Sequence, residues 1–233
     1  MTSTTYPDAD AILDAALMHV PFDGWSDATL RAALRDLDAP SEAGKLAFPR
    51  GALDLALAFH RRGDAALREA LEAADLGSMK IREKIIYAVR TRIEIAADKE
   101  AVRRGVTFFA LPQNSVTGAQ AIWETADTIW DAIGDTSRDA NWYSKRAILS
   151  GVYSSTILFW LGDDSTDNQG TWDFLDRRIE NVMQFEKVKA AVNKNPMLQP
   201  LMAGPNWLAS KIRAPEKGAM PGMPGFWSKA KDA

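Results

Sequence analysis

The sequence predicts an all-α helical bundle, and three observations carry that prediction. Apolar residues recur at helical spacing in one segment after another, as in Ile81, Ile85, Ile86, Val89 and Ile93. No segment combines strand alternation with hairpin turn residues. The stretch Ala147–Leu161 is an uncharged run of 15 residues. A bilayer span needs roughly 18 to 20, so the run reads as the central core helix of the bundle.

The elements follow in order. Ile12, Leu13, Ala16, Leu17 and Val20 give one face to a helix over 9–20, with a turn at 21–25. Ser26 is an N-cap for a second helix carrying Leu30, Ala33, Leu34 and Leu37. Ser41 caps a short third helix that ends before Pro49. Leu53, Leu57 and His60 mark a fourth, closed by Gly63, and 64–76 is a fifth. Ser78 opens one long helix that ends at Phe108, Phe109 and Leu111 before Pro112. A helix over 117–133 buries Ile122, Trp123, Ala126, Ile129, Trp130 and Ile133. The polar turn from Asp135 leads into the central helix, and 166–189 forms a last amphipathic helix. Residues 1–76 therefore read as an N-terminal region, 77–191 as a larger helical region and 192–233 as a tail holding six of the eleven prolines. Trp207, Leu208, Phe226 and Trp227 are candidate anchors in that tail.

Composition bounds the function. The chain has 233 residues, a net charge of −3 and no cysteine. That excludes disulfides and thiolate chemistry and gives no global field for nucleic acid. The N-terminus has neither a secretory core nor an Arg-rich transit pattern, so the chain reads as cytoplasmic and peripheral to the inner membrane. No phosphate loop, metal motif or triad is present, and His19 and His60 stand apart from any metal-ligand set. His60 is expected to interact with a helix end. No catalytic residue, metal or cofactor is assigned, and the chain reads as a non-enzyme. Between Lys80 and Arg104 eight cations face four acids, a solvated face or a contact for anionic lipid.

Two features of the central helix depart from a plain core. Gly151 with Ser150, Ser154 and Ser155 is a small-residue patch, which either admits a closely crossing helix or leaves a cavity. Such a cavity would be lined by Tyr87, Phe108, Phe109, Trp123, Leu149, Gly151, Tyr153 and Ile157, and Gly151→Leu would displace what fills it. Trp142 and Tyr143 fall in the first turn. Neighbours on a helix are about 100° apart, so both cannot enter the same core. Their alternatives are an exposed hot-spot pair or half-buried packing against the preceding loop.

The first three helices look like the start of a TetR-type repressor, which implies a TetR-like bundle with a helix-turn-helix-like N-terminal region. The place of the reading helix holds only Lys45, opposed by Glu42, and 27–50 carries four cations and four acids. A neutral module of this kind should bind DNA weakly. More specific is the ordered series A-I-L-D-A-A-L-M-H-V-P-F-D-G-W, M-K-I-R-E-K-I, A-L-P-Q-N, D-T-I-W-D-A-I-G-D-T-S-x-D-x-N-W-Y-S-K-R and T-W-x-F-L-D-R-R-I-E-N-V-M. From about residue 9 to residue 190 it resembles the ubiquinone (coenzyme Q) biosynthesis accessory family, the ninth protein of the coenzyme Q series, in its bacterial form. The resemblance implies a TetR-like fold that does not bind DNA, a pocket for an isoprenoid lipid or quinone intermediate, and the di-iron demethoxyubiquinone hydroxylase as partner. The partner surface would include Asp127, Trp130, Asp139, Asn141, Trp142, Tyr143 and Arg146. A membrane surface and a second copy of the chain are further candidate partners. The competing reading is a ligand-responsive TetR-type transcriptional regulator, and the third is an enzyme acting alone.

Overall fold

The computed structural model describes residues 6–96 and 98–194, with side chains described through residue 184. The anchors expected in the 192–233 tail therefore lie outside the described side chains. The elements are α1 (Ala9–Leu17), α2 (Val20–Asp23), α3 (Asp27–Asp36), α4 (Ser41–Ala47), α5 (Ala52–Ala73), α6 (Ile81–Ala96), α7 (Lys99–Phe109), α8 (Ser115–Ala132), α9 (Ala140–Leu161) and α10 (Gln169–Lys194), with a 3-10 turn at Thr166–Asn168. No strand occurs among the described residues. The chain forms two compact units. One takes the chain up to Glu69 together with Arg92–Ala121; the other takes Ala70–Thr91 and the chain from Ile122. The division is thus not a single cut near residue 76, because the segment holding α7 returns to the first unit.

In the first unit, Ile12, Leu13, Ala16, Val20, Trp25, Leu30, Ala33, Leu34, Leu55 and Ala101 form one buried core. The helix expected over 9–20 stops at Leu17, and Val20 restarts as α2 with Pro21 in its first turn. Gly24, at φ 64°, ends it in a conformation that suits glycine. Ser26 caps α3 as expected, its hydroxyl accepting from Thr29 N at 3.1 Å. Ser41 does not cap α4. Pro40 holds that position, and the Ser41 hydroxyl donates to Glu42 at 3.3 Å.

Gly63 does not close a helix either. It lies inside α5, where an added Cβ would stand 2.6 Å from the Arg92 guanidinium carbon. The glycine is there for room rather than for termination. Arg92 is 4% exposed, donating to Asp64 at 2.7 Å and to the His60 carbonyl at 2.9 Å. His60 is therefore mid-helix and half-buried, its Nε2 lying 3.1 Å from the Ala121 carbonyl and 3.4 Å from Asp64. Burial lowers its pKa below the ordinary 6.5, partly opposed by Asp64 and reinforced by Arg92 and Arg61. The folded chain holds fewer protons here than the unfolded chain. This contribution is complete above pH 6.5 and erodes as pH falls below it. Denaturation midpoints should decline from about pH 6.5 toward 5, and His60→Gln should flatten the profile in that window.

The single long helix expected from Ser78 is two. Asp98 stops it and caps α7, accepting from Glu100 N at 2.9 Å and Ala101 N at 3.0 Å. α6 is opened by Glu83, which accepts from Lys80 N at 2.7 Å, while Ser78 donates to the Asp75 carbonyl. Nor do the cations of this stretch make one basic face: Arg92 is buried, Arg82 pairs with Asp176 at 3.2 Å, and Arg103 and Arg104 pair with Glu100.

The second unit centres on α9, against which α10 packs. The row Arg146, Leu149, Tyr153, Ile157 and Trp160 is buried. The row Ala147, Gly151 and Leu158 is exposed, so α9 is not the fully enclosed helix its composition suggests. Between the two helices Asp163 accepts from Thr171 Oγ1 at 2.6 Å, Thr171 N at 2.8 Å and Ser165 N at 2.9 Å, which holds its pKa well below the usual carboxylate range. Among the described residues no helix is long and apolar enough to cross a membrane.

Candidate functional site

The corner joining α8 to α9 holds a connected set of ion pairs and hydrogen bonds. Asp127 and Asp131 stand four apart on α8, one turn from each other. Asp135 follows in the connecting turn, and Arg146 reaches toward all three from α9. Arg146 is 1% exposed. Its Nε donates to Asp127, its Nη2 to Asp131 at 3.3 Å, and its Nη1 to Asp135 at 3.2 Å and to the Trp142 carbonyl at 3.3 Å. The guanidinium also lies 4.0 Å from the centroid of the Trp142 ring.

A second brace runs alongside. Lys145 donates to Asp135 at 2.7 Å and to Ser137 Oγ at 2.6 Å, and Trp130 Nε1 donates to the Lys145 carbonyl at 3.1 Å. Burial pushes the Asp135 carboxyl up, but hydrogen bonds from Lys145, Ser137 and Arg146 outweigh it and leave its pKa lowered. Asp139 caps α9, accepting from Asn141 N at 3.0 Å, and also accepts from Asn141 Nδ2 at 3.0 Å. The first turn of α9, and with it Trp142 and Tyr143, is thereby fixed in angle.

Trp142 and Tyr143 meet edge to face at 4.8 Å, and Trp123 stands 6.0 Å from the first and 6.4 Å from the second. All three rings are half-buried. Of the two alternatives the sequence left open, half-buried packing describes the rings, but their cover is Trp123 beside both and the Arg146 guanidinium over Trp142, rather than the preceding loop. The seven residues expected at a partner surface do converge on this corner, in two layers. Trp130 and Arg146 are buried and act as supports. Asn141 is exposed, and Asp127, Trp142 and Tyr143 are accessible in part.

The residues expected around a cavity are distributed differently. Leu149, Tyr153 and Ile157 are buried on the inner row of α9, and Tyr87 and Trp123 are half-buried in the same unit. Phe108 and Phe109 belong to the first unit, edge to face at 5.6 Å and packed against its core. Gly151 is not in a buried patch. It is exposed, and an added Cβ would meet nothing within 4 Å. A leucine there would enter open space, so its expected displacement of an interior ligand does not follow. Gly151→Ala should instead stabilise the fold by about 0.5 to 1 kcal/mol by removing mid-helix glycine entropy, read as a raised urea midpoint.

Asp131 and Asp135 were not singled out in the sequence, although Asp127, Asp131 and Asp135 recur at intervals of four beside one arginine in an otherwise apolar row. Phe174, stacked at 4.6 Å on Phe159 beneath the Arg178 guanidinium at 4.8 Å, falls in the T-W-x-F-L-D-R-R series but is not among the expected site residues.

Residues 116–186 match the COQ9 family model, a span that contains this corner. The ubiquinone biosynthesis protein COQ9, mitochondrial, of Rattus norvegicus is 33% identical over 182 residues, which is 75% of this chain and 58% of that protein. The COQ9-B protein of Xenopus laevis is 33% identical over 180 residues, 74% of this chain and 61% of that one. The chain thus spans about three-fifths of the length of the curated relatives it matches. Among solved structures, a TetR transcriptional regulator from Nitrosomonas europaea superposes with a TM-score of 0.60 at 19% identity, covering 74% of this chain and 95% of that one. The fold is therefore TetR-like and all-α.

Proposed function

On the premise that this chain, a homologue of the COQ9 proteins carrying their family region at residues 116–186, serves ubiquinone biosynthesis as their name states, we propose that it is a non-catalytic accessory protein that binds an isoprenoid lipid or quinone intermediate and presents it, at a membrane surface, to the demethoxyubiquinone hydroxylase. The observation that carries the docking part is the α8–α9 corner. There Arg146 joins three carboxylates and supports Trp142, so the Trp142 and Tyr143 rings are held in place before any partner arrives. Preorganised aromatic anchors lose little entropy on binding and are common among interface hot spots. Polar groups at this corner are engaged in bracing, which fits a role in binding rather than chemistry.

Two measurements test the reading. Mixing the full chain with the hydroxylase should give a complex on size-exclusion chromatography. Native mass spectrometry of protein purified from a quinone-producing host should show a bound isoprenoid. Absence of both would end the proposal.

The regulator reading draws on the TetR-like fold alone. α4 occupies the place of a reading helix, and its outward residues are Ser41, Glu42, Lys45 and Leu46, the last 71% exposed. A single cation beside an acid and an exposed leucine is poor chemistry for base edges and phosphates. Electrophoretic mobility shift at low salt is expected to show no retarded band with promoter DNA from the host; a discrete band at nanomolar protein would favour the regulator.

A further inference from the structure

We infer that residues 195–208 of this same chain fold back along the outward face of α9 and cover it, a contact that stands apart from the docking reading. That face is apolar and open. Ala147, Gly151 and Leu158 are exposed, Leu158 by 60% and the neighbouring Phe159 by 39%. No Asp, Glu, Lys or Arg occurs from residue 147 to residue 161. Helix faces that meet water normally carry charged or polar residues, and a contiguous exposed apolar patch marks a contact. At the far end of the face Phe159 stacks on Phe174 of α10, with the Arg178 guanidinium over the Phe174 ring.

The chain itself supplies the occupant. α9 and α10 are packed together and joined by residues 162–168, and Phe159 meets Phe174, so the two helices run antiparallel. The end of α10 at Lys194 therefore lies level with the start of α9 at Ala140, and residues 195–233 begin there. From that level to Phe159 is roughly 29 Å along the helix at about 1.5 Å per residue. Residues 195–208 span up to about 46 Å when extended. Residues 195–210 carry no charge and bring Met197, Leu198, Leu201, Met202, Trp207 and Leu208 to an uncharged face. Arg178 disfavours a cationic occupant, and the first cation of the tail is Lys211. Pro196, Pro200 and Pro205 oppose a regular helix and favour the extended conformation that lies flat on apolar and aromatic surfaces. Tethering also favours the tail over a second copy, because it sets a local concentration on the order of millimolar.

The test uses the full chain, which has no cysteine of its own. Asp164→Cys places one nitroxide label at an exposed position just beyond Phe159, at the opposite end of α9 from the start of the tail. Amide signals of Trp207 and Leu208 should lose most of their intensity to the label, and that of Met197 should lose least. Gly151→Arg puts charge and bulk on the covered row. An added Cβ there meets nothing within 4 Å, so helicity and unfolding midpoint should hold while the signal loss disappears. Ala147→Glu, on the same exposed row, is the second variant and should act alike. A mixture of spin-labelled chain with isotope-labelled, label-free chain separates contacts within one molecule from contacts between two. No loss at residues 195–208 overturns the inference, as does loss that persists in both Gly151→Arg and Ala147→Glu. Loss that appears in the mixture as strongly as in the single chain overturns it as well, because a second copy would then cover the face.

Discussion

Arg146→Met is expected to lower the stability of the α8–α9 unit by about 3 kcal/mol or more, the range seen when one partner of a buried ion pair is removed. The effect is not the sum of three salt bridges. Asp131 is 47% exposed at its side chain, and a pair with so wet a partner contributes little. Asp127 is 27% exposed and contributes more. Most of the cost lies at Asp135, 3% exposed, which would lose one of its two cations and keep only Lys145. Methionine would fill part of the volume but could neither reach the Trp142 carbonyl nor stack its charge on that ring. Arg146→Lys should recover only part of the loss, because a point charge cannot address three carboxylates that a planar fork spans. Asp131→Asn should stay within about 0.5 kcal/mol of wild type. Urea midpoints of the three variants check the order, and an Asp131→Asn loss as large as that of Arg146→Met would show the assignment to be wrong.

Much of the bundle could be read from the sequence because helical periodicity and caps are local signals. Ser26 caps where its chemistry says it should. The misreadings occurred where a residue with a strong local meaning was serving a distant partner. Gly63 reads as a stop and instead makes room for Arg92, which lies 29 positions on. Asp98 sits in a stretch of otherwise helical residues, so the break it makes was hidden by periodicity on both sides. Gly151 lies in an uncharged run, and composition alone cannot say which side of such a run meets solvent; the exposed row through Ala147, Gly151 and Leu158 answers that only in three dimensions. At the site, the N-W-Y motif was legible through family resemblance. The clamp was not, since carboxylates at helical spacing are common in helices and nothing local marks Asp135 as the one that is buried.

The second large effect is expected at the two rings, and the structure separates what the sequence could only pair. Tyr143 begins the row that continues through exposed Ala147 and Gly151, so it lies on the outward face of α9. Trp142 lies under the Arg146 guanidinium and belongs partly to the clamp. Tyr143→Ala should therefore weaken hydroxylase binding by about 2 kcal/mol, roughly 30-fold, with helicity, bound lipid and unfolding midpoint close to wild type. Trp142→Ala should weaken binding comparably and also cost about 1 to 2 kcal/mol of stability, through lost stacking and the uncovering of Arg146. Calorimetric titration of each variant against the hydroxylase, beside circular dichroism and urea unfolding of the same samples, reads both quantities. Binding retained by both variants would remove the docking surface from this corner. A Tyr143→Ala protein that has lost its helicity would place that ring in the core, and a Trp142→Ala protein as stable as wild type would mean that Arg146 does not depend on the ring it covers.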